Sequence, residues 1–234
     1  MYGAVLCPRW ALRKQHDADL YGVCNGDAAE GNHHGTTQIV SGNPDAQNYL
    51  TLRAFDPFLA LRPDRLWIVR GTEAHTGSSG SVEEGLGKAL ASKAPVVRDP
   101  ETNLWSYWHL RLLLNGTLLD FQHHGRTGGR PWTRQNTLSA AACEIWMEHH
   151  LRGQRHPDLA VRSHRHVFGD SFAAYPTRVI QTPAFQLKTA FGHKVAANSI
   201  ADIGGVILVL HPEGRYEVEP VLFQPALPKA WSPA

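Results

Sequence analysis

Histidines and acidic residues close four short apolar runs in this chain, where they could hold a divalent cation or pass a proton. Leu20–Cys24 leads into Asn25-Gly26-Asp27, and Leu66–Val69 into Gly71-Thr72-Glu73-Ala74-His75. Leu118–Phe121 leads into His123-His124-Gly125, and Leu159–Val161 into His164-Arg165-His166. Apolar runs of this length with β-branched and aromatic members read as buried strands of an α/β sheet. The carboxyl ends of such strands share a rim where ligands bind. Strands that deliver imidazoles and carboxylates to one rim look like a metal site. At strand spacing, His164-x-His166 is expected to place both rings on one side of an extended segment.

Other signals set the elements that must carry these groups. Asn43-Pro44 has the form of a helix start, with Asn as N-cap and Pro in the first turn. That helix carries Ala46, Tyr49, Leu50 and Ala54 on one stripe and should end near Pro57. Ser81-x-x-Glu84 has the form of a capping box opening a helix from Val82 to Ala91. Trp105–Leu114 and Thr117–Phe121, joined across Asn115-Gly116, read as a β-hairpin. A helix from Thr137 to Arg152, closed by Gly153, precedes strand Asp158–Val161. Val179–Gln181, Gly205–Leu210 and Tyr216–Leu222 read as further strands, and Gln224–Ala234, with three prolines, as an extended surface tail. This order predicts an α/β fold, one domain over residues 1–234 with its core between about 20 and 223.

Composition narrows the function classes. A formal charge of +2 over 234 residues demands no polyanionic partner, so nucleic-acid affinity would have to come from a local patch. An apolar content of 42% supports a proper core. Cys7, Cys24 and Cys143 have neither zinc-finger spacing nor a disulfide framework, and Cys24 reads as a small core residue. With no signal peptide and no run near the ~20 apolar residues of a membrane helix, a soluble, cytoplasmic protein is expected. The 14 histidines include several adjacent pairs, of which His149-His150 simply ends a helix.

Taken together, Gly26-Asp27, Gly71-Thr72-Glu73-Ala74-His75, His123-His124 and His164-x-His166 resemble the calcineurin-like metallophosphoesterases. The motifs of that family run D-x-H, G-D, G-N-H, a lone His after a strand, and G-H-x-H. The segments NGDAAEGNHH, VRGTEAHTG, HHGRTGGRPW and TPAFQLKTAFGHK…ADIGG are most similar to a phage-associated branch. The resemblance spans about Leu6 to Leu222. It implies a four-layer α/β/β/α sandwich with two divalent cations, Mn, Zn or Fe, between its sheets. One cation would be held by Asp27, a residue of the Gly71 loop, one of His123 or His124, and His164. The other would share Asp27 and take His166. His75 is implied as the acid that protonates the leaving alkoxide. Glu30, His33 and His34 read equally as substrate contacts or solvated loop residues. Arg126 and Arg130, in a glycine-rich loop, could hold phosphate oxygens or face solvent.

The chain also departs from the family pattern. Thr72 stands where the family has asparagine; Glu73 is chemically the better ligand, and the choice between them stays open. His75 lies two residues later than the usual histidine and fits only if the loop bulges. No D-x-H motif precedes the Gly26-Asp27 run. His16, Asp17 and Asp19 would lie at the opposite rim, ~20 Å away along the first strand. The reading is of a truncated or internally deleted member, lacking its first strand and helix, with one complete metal site and one incomplete. The expected function is metal-dependent hydrolysis of a phosphate mono- or diester, with DNA or a nucleotide as the candidate substrate. A degenerate, non-catalytic derivative that keeps one metal and acts as a binding or structural module is the alternative. A single-zinc hydrolase of another fold would use His164, His166 and a carboxylate, but explains Asp27 and the Gly71 loop less well. The oligomeric state is left open.

Overall fold

A computed structural model of the protein describes residues 17–31, 39–77, 80–126, 131–195, 197–198, 200–223 and 230–231. The stretch before residue 17, His33, His34, Arg130 and all of the tail except residues 230 and 231 lie outside the described residues. The fold is mixed α/β, with one five-stranded sheet, two two-stranded sheets and several helices. It divides into two compact units. The first takes everything through Leu112 together with Asp120–Gly125 and Ala160–His164. The second takes Leu113–Leu119, Arg126–Leu159 and the chain from Arg165 onward.

In the first unit, β1 (Tyr21–Asn25) and β2 (Arg65–Val69) pair in parallel, with Asn25 opposite Val69. Their ends therefore emerge side by side, and Gly26-Asp27 faces the Gly71 loop. Between them run helix α1 (Pro44–Leu59) and, after β2, a short helix α2 (Glu73–Thr76) and helix α3 (Ser81–Leu90). Leu66 and Ile68 of β2 and Leu86 and Leu90 of α3 form a buried cluster. Cys24, Ala28, Leu52, Phe55, Phe58, Leu59 and Val96 pack against it. Each fully buried leucine there contributes roughly 1.5–3 kcal/mol. Burial pushes the Cys24 thiol up to about 12, so it packs rather than reacts.

The five-stranded sheet has the order β3-β4-β5-β7-β6, from β3 (Leu110–Leu114), β4 (Thr117–Phe121), β5 (Leu159–Arg162), β6 (Gly169–Asp170) and β7 (Arg178–Gln181). Asn115 and Gly116 turn the hairpin with φ of 49° and 87°, the pair of left-handed residues that matches strand twist. Past β4 and β5 the chains keep pairing in the same direction, Gln122 N to Val161 O and Ser163 N to His123 O. In the second unit, helix α4 (Arg134–Leu151) buries Leu138, Ala141 and Ala142. Its end is closed by Gly153, at φ 62°, whose amide donates to the His150 carbonyl. A short helix α5 (Ala190–Val195) precedes the antiparallel ribbon of β8 (Ile203–Leu210) and β9 (Tyr216–Phe223). Among the described residues no helix is long and apolar enough to cross a membrane.

Three local expectations fail. The first hairpin strand, expected from Trp105, begins only at Leu110. The buried side of α1 is Thr51 with Leu52, Phe55 and Phe58 packed inward, while Tyr49, Leu50 and Ala54 are exposed. Phenylalanines below Pro57, in the last turn, outweigh the smaller stripe above it. The capping box at Ser81 also does not form: the N-cap is Gly80 in a left-handed conformation, and no side chain caps the helix. The Glu84 carboxylate instead accepts from the Trp105 amide at 2.9 Å and the Ser106 hydroxyl at 2.8 Å, a tertiary use that outcompetes the local one. The start of α1 does follow the local rule, since the Asn43 side chain accepts from the Asp45 amide at 2.9 Å. Asn43→Ala is expected to lower stability by about 1 kcal/mol, read as a lower urea midpoint with an unchanged denaturant slope.

Candidate metal centre

Asn25 ends β1, and the chain then turns through Gly26 at φ 90° and Asp27 at φ 52°. This left-handed pair folds the Asp27 carboxylate back onto the Gly71 loop. A side chain at Gly71 would overlap Asp27, and one at Gly26 would overlap the His123 ring, so both glycines are needed for the approach. Asp27 Oδ1 accepts from the Thr72 amide at 2.6 Å and Oδ2 from the Thr72 hydroxyl at 3.3 Å. His123 Nε2 lies 2.9 Å from Asp27 Oδ2, and His164 Nδ1 lies 3.8 Å from the same oxygen. Asp27, His123 and His164 each offer one ligand atom, and these atoms lie within 4.8 Å of one another. They are a group that could hold a metal ion.

Asn25 organises the histidine side of the group. Its backbone carbonyl accepts from His123 Nδ1 at 2.7 Å. Its side-chain amide donates to the Gln122 carbonyl at 3.2 Å and to Ser163 Oγ at 2.8 Å. With Nδ1 carrying the proton, His123 presents Nε2 as a lone pair. That atom is buried, with the Asp27 carboxylate beside it and no hydrogen bond made. An imidazole oriented through its far nitrogen by a carbonyl, with the near nitrogen buried and unspent, is the arrangement a metal-ligating histidine takes.

Exposure grades across the group: the side chains of His123, Asp27 and His164 are 3%, 13% and 34% accessible. His124 is exposed at its edge, and its ring centroid lies 5.1 Å from that of His123 and 4.9 Å from that of His164. Burial raises the Asp27 carboxyl, but the adjacent His123 and His164 imidazoles outweigh it and hold it far below the usual carboxylate range. Burial lowers His123 and the Asp27 carboxylate more than compensates, so its net shift is upward.

Of the residues picked out in sequence, the structure brings together Asp27, Thr72, His123, His124 and His164. Thr72 precedes α2, and its hydroxyl faces the group; Glu73 is exposed in the first turn and is not a member. Of the histidine pair, His123 belongs to the group and His124 does not. His166 is outside it as well. The alternation argument fails there because β5 stops at Arg162, and His164 and His166 both have left-handed backbone, with φ of 76° and 54°. His75 Nδ1 donates to the Glu30 carbonyl at 2.6 Å, and its charge contributes to holding Asp27 ionised. The Glu30 carboxylate accepts from the Val40 amide. Arg126 is paired with Glu144 at 3.0 Å on the surface of the second unit. Asp19 bonds the Tyr21 hydroxyl at the start of β1 and is not in the group.

Sequence reasoning missed two residues. In sequence, Asn25 reads only as part of a strand end, the amide before Gly26-Asp27 being its one signal. Glu83 carries no sequence signal beyond its place in a helix start. It is fully buried, both its carboxyl oxygens lack a hydrogen bond, and burial with the nearby Asp27 charge pushes it up to about 7.

No protein-family model matches the chain, and no curated protein matches it. Among solved structures, the zinc complex of Vps29 from Entamoeba histolytica is 11% identical, with a TM-score of 0.40 over 86% of this chain and 97% of that one. A Thermotoga maritima protein solved by NMR is 12% identical, with a TM-score of 0.38 over 88% and 99%. A predicted phosphoesterase from Streptococcus pneumoniae is 8% identical, with a TM-score of 0.35 over 69% and 75%. At such scores the likeness assigns neither family nor activity.

Glu83 yields a pH prediction for the metal-free protein. Its folded pKa lies above its ordinary value, so the folded state binds the extra proton and stability falls as pH rises from about 4.5 to about 7. Full ionisation costs on the order of 3 kcal/mol. Glu83→Gln, compared with wild type by urea denaturation in chelator, should gain relative stability between pH 4.5 and pH 8; a constant difference across that range would contradict the assignment.

Proposed function

We propose that the chain is a metal-dependent phosphoester hydrolase of the calcineurin-like kind, with one firmly held divalent cation. The observation that carries this is the convergence of Asp27, His123 and His164, with His123 Nε2 buried and unspent behind an oriented ring. The donor set fits such an ion: one carboxylate and two imidazoles suit Zn, Mn or Fe, and the Thr72 hydroxyl adjoins them. The motif resemblance, including G-D in the first cluster and H-x-H in the last, supports the same reading. It extends the proposal to a four-layer sandwich, to a phosphodiester in DNA or a nucleotide as substrate, and to a phage-associated, cytoplasmic setting.

When bound, a divalent cation polarises a phosphoryl oxygen and makes water a better nucleophile near neutral pH. The chain's own residues set the stage. Asp27 supplies a negative charge kept ionised by its neighbours, and the Thr72 amide fixes its orientation. Asn25 keeps His123 in the tautomer that presents Nε2. His75, with Nδ1 given to the Glu30 carbonyl, has Nε2 as the atom for proton exchange with a leaving alkoxide. The departing alkoxide takes the Nε2 proton of the His75 imidazolium, the attacking water releases its proton to solvent, and the neutral ring left behind regains one from solvent.

A second reading is a non-catalytic module that keeps one ion. The small ligand group favours it, since His166 lies outside the three residues that converge among those described. Hydrolysis of bis-p-nitrophenyl phosphate with added Mn or Zn separates the two. Metal-dependent turnover should fall more than about 100-fold in Asp27→Ala and in His164→Ala. Calorimetric titration should show one tight ion per chain, binding more tightly as pH rises, because His123 must lose its proton to ligate. Tight binding without turnover would favour the module, and an absence of both would reject the metal reading altogether.

A further inference from the structure

Resting on the single-ion reading, we infer that His124 is a substrate-binding residue, donating a hydrogen bond to an oxygen of the phosphate group, and is not a ligand. The doublet His123-His124 delivers two imidazoles to one place with opposite fates. His123 is buried and inside the group of converging ligand atoms; His124 is exposed and outside it. Yet His124 is not remote. Its Nε2 is 3.4 Å from Thr72 Oγ1, which is 3.0 Å from His164 Nδ1 and 3.3 Å from Asp27 Oδ2. Its ring leans over the His164 ring at 4.9 Å with a 43° tilt. A donor that adjoins the ligand group on its accessible side, without joining the three atoms that lie within 4.8 Å of one another, is placed to bond an anion seated on that face.

The backbone holds His124 there. Ser163 N donates to the His123 carbonyl, and the next residue but one, Gly125, lies flat on the buried Arg162 side chain. Arg162 in turn pairs with the buried Asp120 carboxylate at 2.8 Å. A side chain at Gly125 would come within 2.6 Å of Arg162 Cβ, so the turn carrying His124 is seated on a fixed floor. A phosphate oxygen therefore meets a pre-placed imidazole, and little ordering is left for binding to supply.

The test uses the full chain and two probes, the metal alone and inorganic phosphate. Calorimetry with Zn should give His124→Ala a metal affinity within about twofold of wild type, while His164→Ala loses tenfold or more. With the metal-loaded proteins, phosphate affinity should fall about tenfold in His124→Ala, equivalent to about 1.4 kcal/mol. His124→Gln, which keeps an N–H donor, should recover most of that loss. Far-UV circular dichroism and thermal melting of each variant establish that it is folded, and His124→Phe, a ring without a donor, serves if the alanine variant is not. Loss of metal in His124→Ala to the extent seen in His164→Ala would make His124 a ligand and overturn the inference. Unchanged phosphate affinity, or no recovery by glutamine, would overturn it too. If wild type itself takes up no metal, the single-ion reading fails and this inference falls with it; if wild type binds metal and phosphate and His124→Ala does likewise, only this inference falls.

Discussion

One residue, Asn25, ties together the strand ends on which the metal group depends. Its carbonyl orients His123, and its amide spans Gln122 and Ser163, the residues that flank His123 and His164. Without that link, β1 would still deliver Asp27 beside Thr72, but His123 could present either nitrogen. A histidine that can swap tautomers loses the fixed lone pair that a cation requires. The interaction is local in space and remote in sequence, joining residues about 100 and 140 positions apart. A single hydrogen-bonded amide thus converts three separate chain ends into one constellation.

The group is also strained. Gly26, Asp27 and His164 all occupy left-handed backbone, and for the last two the conformation costs of order 1 kcal/mol or more each. Asp27 recovers part of this through two hydrogen bonds from Thr72 and the charge of two histidines. Glu83 adds a second liability, a buried acid with no hydrogen bond at either oxygen. The Asp27 carboxylate, kept ionised beside two imidazoles, is the charge that a cation would meet there. The energetic logic of the region runs toward binding and away from stability for its own sake.

Burial grades the roles within the histidine cluster. The least accessible ring is the one with an oriented far nitrogen, and accessibility rises through Asp27 and His164 to His124. Ligation suits the dry end, where electrostatic attraction is screened least. Recognition of an incoming group suits the wet end, where the partner must arrive through solvent.

Much of the architecture was legible in the chain itself. Strand positions followed from short apolar runs, Asn115-Gly116 from its turn chemistry, and the α1 start from an Asn-Pro pair, because each depends on neighbours within a few residues. The placement of Asp27, the 123–124 doublet and His164 at strand ends was legible for the same reason. The rest depended on contacts that only folding creates. A hydrophobic stripe cannot say which side of α1 meets the core when both sides carry aromatic residues. Glu84 satisfies a capping pattern until Trp105 and Ser106 offer better donors. The difference between Thr72 and Glu73, between His123 and His124, and the roles of Asn25 and Glu83 all turn on which side chain points inward. That direction is set by left-handed turns and by hydrogen bonds reaching across the sheet ends. Sequence spacing determined which residues arrive at the rim; only the tertiary structure decided which of them face one another.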